Sequence, residues 1–287
     1  MDEPVATGLT LVDALRERAS VHLSPCGVGH MVWHVWGEGR PLLLLHGGSG
    51  SWTHWVRNID SLVAAGYQVV APDLPGFGDS AQPAKGSDAD AMPDPLEAGL
   101  QTLLGSTPCD LAGFSFGGMT AGLWAAQQPQ RFTRLVVIGA PGLGLASRRM
   151  VALTPWRHID DDAERDAIHR HNLGALMLSQ ADAIDDLALT VHKANVVRDR
   201  MKGRSLAFTD ALARALRTVV CPVSAIYGAS DALYRGRMAE VAPVFSAASD
   251  FRGLSLIPDA GHWVQYEQPV AFHTSLMAAL TVNTPRY

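Results

Sequence analysis

Short apolar runs alternating with helix-length amphipathic stretches constrain this chain more than any other feature. Pro41-Leu42-Leu43-Leu44-Leu45 closes at His46-Gly47-Gly48. A run apolar on every side suits a strand covered on both faces within a parallel sheet. Further strands are expected at His30–Trp36, Tyr67–Ala71, Cys109–Phe114, Arg134–Ile138, Val219–Tyr227 and Leu254–Ile257. Helices are expected between them at Leu9–Arg18, Trp52–Ala65, Pro95–Leu104, Gly117–Gln128, Ala232–Val244 and Gln268–Leu280. Strand–helix alternation implies right-handed crossovers. The expected fold class is therefore α/β, with a mostly parallel central sheet flanked by helices.

The rhythm stops at Gly139-Ala140. From Pro141 to Leu216 the sequence shows only helical stretches, such as Asp162–His169 and Ala181–Arg198. Each flank supplies strands that need the other flank to complete one sheet. We therefore expect a single core built from residues 1–140 and 217–287, with 141–216 inserted as a helical cap.

Apolar residues make up 47% of the 287 positions and charged residues 18%, enough for a buried core. The formal net charge of −5 comes with no basic run, which argues against nucleic acid or an anionic membrane surface as partner. No apolar stretch has the length of a bilayer span, and Met1-Asp2-Glu3-Pro4 lacks the order of a signal peptide. Cys26, Cys109 and Cys221 are odd in number and widely spaced, as buried thiols in a reducing compartment would be. The expectation is a cytoplasmic protein acting on a small-molecule substrate, with homo-oligomer formation left open.

Gly113-Phe114-Ser115-Phe116-Gly117 is the only Gly-x-Ser-x-Gly in the chain, and it lies between an apolar strand and a helix. A nucleophile elbow needs that placement, because its serine sits on a strained turn crowded by both elements. A serine hydroxyl is a nucleophile only when a base removes its proton. Asp231 follows the strand ending at Tyr227, and His262 follows the last strand, giving the chain order Ser, Asp, His at strand carboxyl ends. Asp259, beside His262, is a rival acid but is read as a turn residue. His22, His30, His34, His54, His192 and His273 are read as surface or core residues; His158, His169 and His171 fall in the expected insertion and could line its mouth, with solvated helix positions as the preferred reading.

An oxyanion needs donors aimed at it. One is expected at the N–H of Phe116, directly after the serine, and the other at Gly48, with Ser49 as second choice. The glycines of residues 46–50 lack a P-loop lysine and dinucleotide spacing. The chemistry inferred requires no metal and no organic cofactor.

His46-Gly47-Gly48, the Asp73–Ser80 loop, Gly113–Gly118, Gly228–Asp231 and Gly261-His262 together resemble the α/β-hydrolase family over nearly the whole chain. The resemblance implies a helical cap between the sixth and seventh strands and a triad of Ser115, Asp231 and His262. A serine at the elbow departs from the dehalogenase and epoxide hydrolase branches, which place aspartate there. Trp55–Ile59 and Gly261–Glu267 look like the hydrolases that cleave carbon–carbon bonds in ring-fission products of aromatic catabolism. That likeness implies substrate-binding roles for Trp263, after the histidine, and for a cap arginine, taken as Arg198. Those enzymes commonly carry Asn before and Met after the serine, whereas Phe114 and Phe116 stand here. Three readings follow: an ester or acyl hydrolase for small apolar substrates, a carbon–carbon hydrolase, and a low-turnover ligand-binding protein.

Overall fold

A computed structural model describes residues 8–145 and 151–281. The first four residues and 146–150 of the expected insertion therefore lie outside the described residues. Eight strands form one sheet: β1 (Ser20–Cys26), β2 (Gly29–Trp36), β3 (Arg40–Leu45), β4 (Tyr67–Pro72), β5 (Cys109–Phe114), β6 (Phe132–Ile138), β7 (Val223–Gly228) and β8 (Phe251–Ile257). The helices are α1 (Gly8–Arg18), α2 (Ile59–Ala64), α3 (Pro93–Leu104), α4 (Phe116–Gln127), α5 (Asp162–Asn172), α6 (Asp186–Val196), α7 (Ala211–Leu216), α8 (Val241–Phe245), α9 (Val264–Glu267) and α10 (Pro269–Thr281).

The strand order is β1-β2-β4-β3-β5-β6-β7-β8. β2 pairs antiparallel with both β1 and β4, and all other pairs are parallel. Strand side chains alternate between two buried layers. Leu43, Leu45, Leu111 and Val137 face a core closed by Leu100, Trp124 and Phe245; Leu42, Leu44, Ala112 and Val136 face one closed by Leu62, Phe272 and Leu276. Helices thus cover both faces, as the uninterrupted apolar runs require.

The differences from the sequence-based expectation have local causes. β1 was not foreseen: four of its seven side chains are solvent-exposed in succession, and Pro25 sits in it, which only an edge strand tolerates. Trp52–Ala65 is not one helix but a 3₁₀ turn, Trp52–Trp55, followed by α2. Ser51 caps the turn by accepting the Thr53 N–H, and the Trp52 N–H, which has no partner within the turn, donates to the Asp73 carboxylate; together they fix where the turn begins. Ala232–Val244 breaks at Gly236, in left-handed conformation at φ 74°, leaving 3₁₀ turns at Ala232–Tyr234 and Met238–Glu240 and only α8 as α-helix. β7 begins at Val223 because Pro222 precedes it and Val220 is exposed, while β8 starts three residues earlier than expected.

Between β6 and β7 the described residues form helices and turns and no strand. Asp161 and Asp185 cap α5 and α6 by accepting the N–H groups of Glu164 and Ala188. α5 runs into a π turn, Leu173–Met177. α7 packs on α4 instead, with Leu212 against Gly122.

Candidate active site

β5 delivers Ser115 to the start of α4 with φ 53° and ψ −116°, a conformation serine avoids unless its surroundings impose it. The imposition is steric. A Cβ on Gly113 would lie 2.3 Å from the Gly117 carbonyl oxygen, and one on Gly117 would lie 2.4 Å from that of His46. Glycine at both places lets strand, helix and the neighbouring β3 loop close around the serine. The Ser115 N–H donates to the Ile138 carbonyl at 2.7 Å, tying the turn to β6.

The loops after β7 and β8 lock together in the same way. A Cβ on Gly228 would lie 2.1 Å from the Gly261 oxygen and 2.3 Å from the Ala260 oxygen, and the Ser230 N–H donates to Ala260. Backbone on both sides leaves no flexible side chain to give way. Gly228→Ala is therefore expected to destabilise the fold by about 3 kcal/mol, lowering the thermal midpoint by about 6–12 °C. An unchanged midpoint in calorimetry would show that the two loops can part.

These constraints bring three distant side chains into one line. His262 Nε2 lies 2.8 Å from Ser115 Oγ, and His262 Nδ1 lies 2.9 Å from Asp231 Oδ2. The other Asp231 oxygen accepts the Leu233 N–H at 2.9 Å, fixing the carboxylate plane. Asp231 and His262 are buried and Ser115 is half-buried. Such a chain can pass a proton from the hydroxyl to the imidazole while the carboxylate holds the ring. Asp259 stands apart, exposed, with φ 53° and its carbonyl accepting from Gln268, so it shapes the turn.

The loop after β3 faces the serine from the other side. His46 is buried, and burial pushes its pKa down to about 4. Its Nε2 accepts the Leu74 N–H, so Nδ1–H is left to donate to the Gly47 carbonyl at 2.7 Å. A Cβ on Gly47 would stand 3.2 Å from Ser115 Cβ. The N–H groups of Gly48 and Phe116 donate to no acceptor among the described residues. They are two free donors flanking the serine, Phe116 at the N-terminus of a twelve-residue helix. Ser49 has its hydroxyl committed to Asp199 at 2.5 Å and a left-handed backbone at φ 51°.

A cavity of about 310 Å³ opens beside this loop, walled by Gly48, Ser49, His54, Trp156, Leu176 and Met177. Two residues read from the sequence as substrate contacts do not line it. Trp263 is fully buried, stacked on Tyr266 at 4.2 Å and donating to the His54 carbonyl, so it reaches the cavity only through the His54 ring. Arg198 turns outward to Asp79 and the Ala194 carbonyl. The arginine near the serine loop is Arg204, whose Nη1 would lie 3.0 Å from a Cβ on Gly48; it pairs with Asp199 at 2.7 Å and lies over the Phe77 and Phe116 rings.

Sequence reasoning also passed over His54, His192 and Glu267. His54 and His192 line the cavity. Leu189, His192 and Val196 follow helical spacing, a signal that His192 shares the inner face of α6. Glu267 accepts Ser179 N–H, Gln180 N–H and Gly261 N–H at 2.6–2.7 Å, joining the segment before α6 to the loop that carries His262. The Trp263 N–H adds a bond to the Met177 carbonyl within the π turn.

No helix among the described residues is long and apolar enough to cross a membrane. Known proteins place the architecture. The family described as the alpha/beta hydrolase fold matches residues 40–183. A 2-hydroxy-6-oxo-6-phenylhexa-2,4-dienoate hydrolase of Burkholderia cepacia is 26% identical over 247 residues, covering 83% of this chain and 86% of that protein. An esterase from Rhodococcus sp. ECU1013 superposes with a TM-score of 0.74 at 22% identity, covering 92% of this chain and 99% of that one. A meta-cleavage product hydrolase from Pseudomonas fluorescens IP01 gives the same TM-score at 21% identity, over 90% and 97% of the two chains. With its sheet order, its strained elbow and half its length matching one family, the chain belongs to the α/β-hydrolase fold family and is a hydrolase.

Proposed function

We propose that this hydrolase cleaves an ester or related acyl bond of a small, largely apolar substrate through an acyl-enzyme on Ser115. The reading rests above all on the continuous contact from Ser115 through His262 to Asp231. In the proposed first step His262 Nε2 takes the hydroxyl proton as Ser115 Oγ bonds to the carbonyl carbon. The oxyanion that forms sits against the N–H groups of Gly48 and Phe116. Collapse breaks the bond to the alcohol oxygen, which leaves with the proton held by His262. Water then attacks the acyl-enzyme with the same histidine as base, releasing the acid and restoring the serine. In this account residues 141–216 act as the cap, and their turn at Leu176 and Met177 supplies an apolar wall to the cavity.

A second reading is hydrolysis of the carbon–carbon bond in dienoic ring-fission products. It draws support from relatives of that activity spanning most of the chain, and from Arg204 standing at Gly48, where an anionic substrate would meet it. The two separate in one assay of purified protein on a short nitrophenyl ester beside a yellow dienoate. The first reading expects nitrophenol release to exceed dienoate bleaching by about tenfold or more in kcat/KM. Rapid bleaching with feeble esterase activity would replace it with the second.

A further inference from the structure

The cavity wall is apolar along Leu153, Pro155, Trp156, Leu176, Met177 and Val196, yet two imidazoles face it. The Gly47 N–H donates to His54 Nδ1 at 3.2 Å, so the His54 proton is on Nε2. No described residue accepts from that Nε2–H, and it is not sealed from the cavity. His192 packs edge-on against His169, with ring centroids 5.2 Å apart, and makes no hydrogen bond to a described residue. Neither of its nitrogens is sealed off, and the residue lines the cavity.

The charged groups of the cavity are otherwise engaged. Asp199 accepts from Ser49, Met201 N–H and Arg204. Arg157 is exposed, lies over the Trp156 ring at 4.7 Å and donates to the Val196 carbonyl. Burial holds both cavity histidines uncharged near neutrality: the His192 pKa is pushed down to about 4, with His169 adding to the effect, and that of His54 falls well below its usual value.

We propose that His54 and His192 form a subsite for an uncharged acceptor oxygen, a keto or ether oxygen on the acyl chain of the substrate. An alkyl chain pressed against these groups would strip them of water and return no hydrogen bond, whereas a matching oxygen restores one. Sites built this way discriminate strongly against the analogue that lacks the polar group. The subsite rests on the acyl-hydrolase reading for its biological use, but its binding preference is measurable without turnover.

Para-nitrophenyl levulinate and para-nitrophenyl isocaproate have the same chain with a keto oxygen exchanged for a methyl group. In calorimetry with the Ser115→Ala protein, the keto ester is expected to bind about tenfold tighter than its methyl counterpart. Adding His192→Leu should bring the two within about threefold, and His192→Gln, which retains a hydrogen-bonding side chain, should keep most of the preference. Equal affinity in the Ser115→Ala protein, or a preference that survives His192→Leu in folded protein, would overturn the subsite. Turnover by the unsubstituted protein reports separately: preferential binding of the keto ester with no hydrolysis of either ester would sink the hydrolytic reading and leave the subsite standing.

Discussion

Ser115→Ala is expected to lower ester turnover by at least about ten-thousandfold while the protein stays folded. The hydroxyl has one partner, His262 Nε2 at 2.8 Å, so its loss leaves no network unsatisfied beyond one imidazole nitrogen. Alanine meets the same left-handed strain at φ 53° that serine already bears, and the backbone cost does not rise. A thermal midpoint within about 2–4 °C of the parent's would show that stability is intact. Turnover that survives in such a protein would mean the nucleophile lies elsewhere.

Asp231→Asn should cost about as much, for a reason that lies in the proton and not in the packing. One Asp231 oxygen accepts the Leu233 N–H, and the other faces His262 Nδ1. An asparagine would keep its carbonyl on Leu233 and turn its NH₂ group toward the ring. Nδ1 would then accept, the ring proton would move to Nε2, and Nε2 could no longer take a proton from Ser115. We expect a loss of about ten-thousandfold in kcat with a change in KM below about threefold, read from steady-state kinetics on a nitrophenyl ester. Equal losses in binding and turnover would point to a displaced loop instead, and full activity would pass the role of acid to another residue.

Much of this architecture could be read from residues because it depends on local rules. Leu42–Leu45 reads as a doubly covered strand because all four side chains need burial, two into each core layer. The glycines at 113, 117 and 228 mark places where backbone passes within 2.4 Å of a would-be Cβ, and such positions admit no other residue without a shift. Serine, aspartate and histidine each follow a strand end, and the parallel sheet brings those ends to one rim. β1 escaped notice because an edge strand is half solvated and carries no continuous apolar run. The helix expected at Trp52–Ala65 is divided into a 3₁₀ turn and α2, a division that its apolar spacing does not show, and a left-handed glycine at 236 interrupts the one expected at Ala232–Val244.

Substrate contacts were the least legible part. Nothing local to Arg198 says that its guanidinium pairs with Asp79, 119 residues earlier, or that Arg204 takes the place beside Gly48. Trp263 keeps the position expected next to the histidine, but His54 comes between its indole and the cavity. His54 and His192 read as surface or core histidines because their shared feature, a place in the wall of one cavity, exists only after α6 has been laid across the loop following β3.

The central claim is that residues from three strand ends cooperate to make one serine nucleophilic. A fluorophosphonate probe with mass-spectrometric mapping tests it most directly, because the reagent needs only an activated hydroxyl and no particular substrate. The account predicts a single adduct on Ser115, formed at least about a hundredfold more slowly in folded His262→Gln protein. Labelling of Ser115 at an undiminished rate in that variant, or no adduct on Ser115 in the native protein, would contradict it.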